Sequence, residues 1–152
     1  MDLIVGVAAA VISFAGLVLG VVRYRAGRPR LKVTVSLAML DPGSGPEMFV
    51  VATAANLGGH PMKVVSAGLR LSDRGAIVLI RPYPWTAGFP SFIPRFGDHA
   101  TYLPIQEIRE HLQSRANTTR RAVRVTGGFY RDATGHEWRC KADAPLLTAR
   151  PA

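Results

Sequence analysis

The chain has 152 residues, and its 19 Lys and Arg against 10 Asp and Glu give a net charge of +9. A hydrophobic content of 48% excludes an intrinsically disordered chain, and a single cysteine excludes both an internal disulfide framework and an all-cysteine zinc site. Five bases (Arg23, Arg25, Arg28, Arg30 and Lys32) crowd into residues 23–32 without one acid, directly after an apolar run.

That run, Leu3 to Val22, holds no charged residue and only one weakly polar one, Ser13. Twenty helical residues span ~30 Å, the hydrocarbon thickness of a bilayer, so residues 3–22 are read as a transmembrane helix. A cleaved signal peptide is the rival reading. It fits poorly, because Met1-Asp2 supplies no basic leader and Arg23-Tyr24-Arg25 is not a small-residue cleavage site. All nearby bases follow the run, so the positive-inside rule puts the N-terminus outside and the rest of the chain in the cytoplasm. Gly6, Ala9, Ser13, Gly16 and Gly20 recur at spacings of three and four, which gathers them on one helix face. Such a strip allows close helix–helix approach in lipid; it is equally the ordinary small-residue content of a membrane helix. Residues 23–30 form a basic juxtamembrane linker. Arg23, Tyr24, Arg25, Arg28 and Arg30 suit the headgroup layer, where Tyr and cations are favoured.

From Leu31 the period changes to two. Leu31, Val33, Val35, Leu37 and Met39 alternate with more polar residues up to the Asp41–Pro46 turn. Met48–Asn56 and Met62–Leu71 predict two further strands, separated by Leu57-Gly58-Gly59-His60-Pro61. Ala76–Ile80 reads as a strand buried on both faces. The short connections leave no room for crossover helices, so antiparallel pairing is expected.

Arg81 to Ala100 predicts a long irregular connection with prolines at 82, 84, 90 and 94. Its aromatics, Tyr83, Trp85, Phe89, Phe92 and Phe96, have three readings: a plug in the open end of the fold, a partner-binding surface, or a membrane-surface contact. A further strand is possible near Thr101–Leu103. Residues 104–115 predict a short helix, with Ile105, Ile108 and Leu112 on one face. Val123–Tyr130 and His136–Lys141 then form a hairpin through Asp132-Ala133-Thr134-Gly135, with Phe129 expected opposite Trp138 and Gly127 opposite Cys140. Residues 142–152 show no pattern and read as a flexible tail.

These elements predict a mainly β chain: an N-terminal transmembrane α-helix, then an antiparallel β-sandwich with one short helix over residues 31–141. The segment Val50–Val64, with Asn56-Leu57-Gly58 and Pro61 between two strands, resembles an element of many bacterial immunoglobulin-like domains. Gly68-Leu69 before a polar turn, and the Tyr130–Gly135 turn, are similar to those of small uncharacterised membrane-anchored proteins of that type. The resemblance implies an immunoglobulin-like sandwich with a binding or scaffolding role, and brings no catalytic residues.

No catalytic motif stands in the chain, so no cofactor, small-molecule substrate or specific nucleic acid is inferred. His136 and Cys140 share a strand face, but their α-carbons would lie ~13 Å apart, too far to share a zinc ion. Cys140 is expected to be a small core residue beside Trp138. Asp98-His99 with Ser91 imitates a hydrolase pair without a positioning motif. The expectation is a single-pass membrane-anchored binding or scaffolding module, with a protein partner or a second copy of itself. An exported, outward-facing ligand-binding domain is the main alternative, and a tethered hydrolase using His99 or His111 the third.

Overall fold

A computed structural model describes residues 2–41, 43, 45–79, 88–142 and 146–151, the side chains of 2–11, 25 and 26 excepted. A single helix, α1 (Asp2–Gly27), leads into β1 (Leu31–Leu40), which pairs antiparallel along its whole length with β2 (Glu47–Asn56). On its other side β2 pairs with β6 (Asp98–Pro104), closing a three-stranded sheet of order β1-β2-β6. In the second sheet, β3 (Met62–Leu71) lies beside β7 (Val123–Asp132), which in turn carries β8 (Glu137–Lys141). The other side of β3 is shared by β4 (Ala76–Val78) and β5 (Ser91–Ile93). A final two-residue strand, β9 (Thr148–Ala149), pairs with the start of β7. Every pairing is antiparallel, and the two sheets with two helices are consistent with a β-sandwich.

The core has two parts. Near the helix-entry end, Leu31, Val33, Ala54, Val64, Ile93 and Tyr130 pack together. At the far end, α2 (Ile105–Thr119) lays Ile105, Ile108, Leu112 and Ala116 against Leu69, Leu71, Val123 and Val125. Burying a Leu or Ile there contributes about 1.5–3 kcal/mol each, which is why this otherwise polar helix stays in place. It stops at Arg120, which takes a left-handed conformation.

Several expectations need correction. Ala76–Ile80 is not a doubly buried strand: β4 has only three residues, and Ala76 and Val78 are exposed on the sheet edge. The long connection contains β5, in which Ile93 is buried between flanking prolines. The C-terminal segment is tied down, because Val125 donates to the Leu147 carbonyl (3.0 Å) and Gln113 to that of Arg150 (2.9 Å). The last hairpin is shifted by one residue: Tyr130, not Phe129, faces Trp138, and Gly127 faces Lys141. The reason is a three-residue loop closed by Gly135 at φ +85°. Asp132 holds that loop by accepting from the Thr134 and His136 N–H groups and from Trp138 Nε1.

Candidate interaction surfaces

The sequence-predicted aromatic group is divided by the fold. Phe89 turns inward, its ring 5.3 Å from that of His99 and 6.2 Å from that of Tyr130, as a plug would. Phe92 and Phe96 turn outward and are 67% and 72% exposed. Each carries a cation over its ring, Lys63 at 5.7 Å and Arg95 at 4.5 Å. Tyr83 and Trp85 lie outside the described residues.

Phe96 sits on the turn between β5 and β6, where Asn56 fixes its position. The Asn56 carboxamide donates to the carbonyls of His60, Ile93 and Pro94 and accepts from the Gly58 N–H, and its backbone exchanges bonds with Phe96 and Gly97. One buried side chain thus fastens together the two turns at the end where α1 joins the sandwich. The link from α1 packs on the same turns: Leu57 donates to the Arg30 carbonyl at 2.8 Å. A Cβ at Gly58 would lie 3.0 Å from both the Arg28 carbonyl and the Arg30 nitrogen, so a larger residue there requires the link from α1 to shift by a few tenths of an ångström.

Of the residues expected at a headgroup layer, Arg28 reaches the Tyr24 hydroxyl at 3.3 Å and holds that phenol below its ordinary range. Arg23 and Arg30 are on the surface, while the Arg25 side chain is outside the described residues. On α1, Ser13, Gly16 and Gly20 are exposed, with nothing near either glycine. The side chains of Gly6 and Ala9's stretch, residues 2–11, are outside the described residues. Around the small-residue strip, Ile12, Phe14, Leu17, Val18, Leu19, Val21 and Val22 are all exposed. Among the described residues no helix is long and apolar enough to cross a membrane. The described side chains of α1, residues 12–24, cover only about 20 Å of helix axis.

A second surface opens at the far end of the β3-β7-β8 sheet. It is a groove of about 690 Å³, walled by Arg70, Arg74, Arg124, Arg139 and Lys141 over a floor that includes Val125 and Thr126. Among the described residues that line it there is no acidic one. Glu137 stands beside it and takes three arginines: Arg70, Arg139 at 2.9 Å and Arg131 at 3.3 Å. Burial raises the Glu137 carboxyl, but these arginines outweigh it and hold the group ionised below the usual range. With Glu137 already committed, the described lining of the groove carries a surplus of positive charge. Arg124, Arg139 and Lys141 come from the last hairpin, whereas Arg70 and Arg74, which the sequence did not single out, arrive from a different strand and its turn.

The candidate chemistry groups are placed apart. His99 is buried against Phe89 and Tyr130, His111 is exposed on α2, and Cys140 is half-buried against the helix-entry part of the core. Among the described residues no three His, Cys, Asp or Glu side chains gather as a metal site.

No protein-family model matches the chain, and no curated protein does. Two solved chains match. One is similar to it at 10% identity and a TM-score of 0.28, over 84% of this chain and 88% of its own: the X-ray structure of Northeast Structural Genomics Consortium target SoR45. The functional reading accordingly comes from the chain's own residues.

Proposed function

We propose that this chain is a single-pass membrane-anchored binding module, acting through contact rather than catalysis. Residues 3–22 cross the bilayer with the N-terminus outside, and an immunoglobulin-like sandwich stands on the cytoplasmic side. Copies associate through the Gly16/Gly20 strip, and the arginine groove, at the end away from the membrane, receives an acidic protein segment.

The observation that carries this reading is the surface of α1. Seven large apolar side chains between Ile12 and Val22 are exposed on nearly every side of the helix, and no part of the sandwich covers them. Such a surface needs an apolar environment. The uncharged run continuing back to Leu3 supplies the length a bilayer requires, and the bases after Val22 supply the orientation. The groove's unbalanced cations support an acidic partner.

Paired reporters fused after Ala152, one active only inside the membrane and one only outside, test the placement, together with alkaline extraction of membranes. The expected result is a chain that stays in the membrane pellet with the inside reporter active. Release at alkaline pH refutes the anchor, and an active outside reporter refutes the cytoplasmic placement.

A further inference from the structure

We infer that the helix-entry end of the sandwich docks on anionic lipid headgroups, with Leu57 and Phe96 entering the interface and Arg95, Lys63, Arg28 and Arg30 binding phosphate. This rests on the membrane-anchored reading and adds to it a face of the folded domain.

The first argument is distance. If the hydrocarbon layer ends near Val22, α1 continues for five more residues to Gly27, a rise of about 7 Å. That is roughly the depth of one headgroup layer. Only residues 28–30 separate the helix from β1, and three residues span at most about 10 Å. The link is not a free hinge, because it is bonded to Leu57 and packed on Gly58, and Gly27 lies against the His60 ring. The end of the sandwich is therefore held at headgroup height whatever its composition.

The second argument is that the composition fits that place. Leu57 and Phe96 project from the two turns of this end, and both are exposed. Phe92 stands just behind them on β5, beside Lys63. Cations surround the aromatics, and among the described residues Asp98 is the one exposed acid at this rim. Large apolar side chains fringed by bases are what an anionic interface favours: the rings leave water, and the bases meet lipid phosphate. The Asn56 bonds hold both turns in one arrangement, so little ordering remains to oppose docking.

The test uses the full chain in nanodiscs of phosphatidylcholine, alone or mixed with phosphatidylglycerol, with acyl-chain-brominated lipid as quencher. Phe96→Trp and, as a far-end control on α2, Gln106→Trp are each read as the difference from the unsubstituted protein. The expected result is blue-shifted, quenched emission from Phe96→Trp in the mixed discs and unquenched emission from Gln106→Trp. Combining Phe96→Trp with Lys63→Glu and Arg95→Glu is expected to lower the docked population about tenfold or more. Emission at Phe96→Trp as unquenched as at Gln106→Trp, in a protein that remains disc-bound, overturns the docking inference and leaves the anchor intact. Equal quenching in phosphatidylcholine alone overturns its anionic part. Failure of the chain to stay in the disc overturns the anchor itself.

Discussion

Replacing Tyr130 with Phe tests what joins the two sheets. The Tyr130 ring belongs to β7, but its hydroxyl reaches across to the other sheet: it lies 2.8 Å from the Ala52 carbonyl on β2, and on β6 3.0 Å from the His99 carbonyl and 2.8 Å from Thr101 Oγ1. Tyr130 and Thr101 are wholly buried, and burial pushes the phenol well above its ordinary range, so it stays neutral and keeps its proton for these bonds. Phe fills the same space, so no cavity opens. The loss is one net hydrogen bond, about 1 kcal/mol, plus about 1–2 kcal/mol for buried groups left without that partner. A total near 2–3 kcal/mol, at a urea dependence of about 1.5 kcal/mol per molar, lowers the unfolding midpoint by about 1.3–2 M. Urea titration of the full chain in detergent, followed by far-ultraviolet circular dichroism, measures it. Thr101→Val in a double-mutant cycle is expected to show a coupling of about 1 kcal/mol with Tyr130→Phe. A midpoint that barely moves, or strict additivity with Thr101→Val, refutes the claim that this hydroxyl ties the sheets.

Acid should weaken the fold through two carboxylates. At both Asp132 and Glu137 burial raises the pKa, but bonds from Thr134 and Trp138 in one case, and from Arg70, Arg131 and Arg139 in the other, outweigh it and leave the folded value depressed. Their stabilisation is therefore complete above the unfolded value near 4 and is lost as the pH falls through it toward the lower folded values. Urea midpoints taken between about pH 6 and pH 3 should drop, and less steeply in Asp132→Asn and Glu137→Gln. At the groove, Arg124→Glu with Lys141→Glu should weaken binding of a glutamate-rich peptide by about tenfold or more with the fold intact, and added salt should mimic the effect in the unsubstituted protein. Titration calorimetry decides this, and salt-independent binding would sink the electrostatic account. On the helix, Gly16→Ile with Gly20→Ile should reduce association in detergent, read by sedimentation, without moving the unfolding midpoint, because no neighbour lies within 4 Å of either glycine.

Strands with one wet face were legible in the sequence, and those whose surroundings decide their exposure were not. β1 and β3 begin and end where alternation and turn residues put them. β4 misled because an apolar run looks the same at a sheet edge as at its centre. β5 was hidden between prolines, and its role depends on Ile93 meeting Met62 across the sheet, a contact without local trace. The start of α2 was visible in Pro104 and the Ile105–Leu112 face; its last turn rests on Ala116 alone and stops without a glycine. Of the aromatic group, composition could not say that Phe89 would turn in while Phe92 and Phe96 turned out, since that depends on which side of the chain meets His99 and Tyr130. The groove draws its cations from β3 and its following turn, β7 and β8, so nothing in linear order announces it.

The β1–β2 ladder also decides how the molecule answers tension. In the membrane-anchored reading proposed above, force from α1 enters at Leu31, along the axis of β1, while the C-terminal segment is fixed at the opposite end through β9. Pulling the two apart slides β1 lengthwise against β2 instead of peeling it off one bond at a time. Ten paired positions then share the load together. Under that reading, a chain held by its far end is gripped in shear, the direction in which a paired strand resists most.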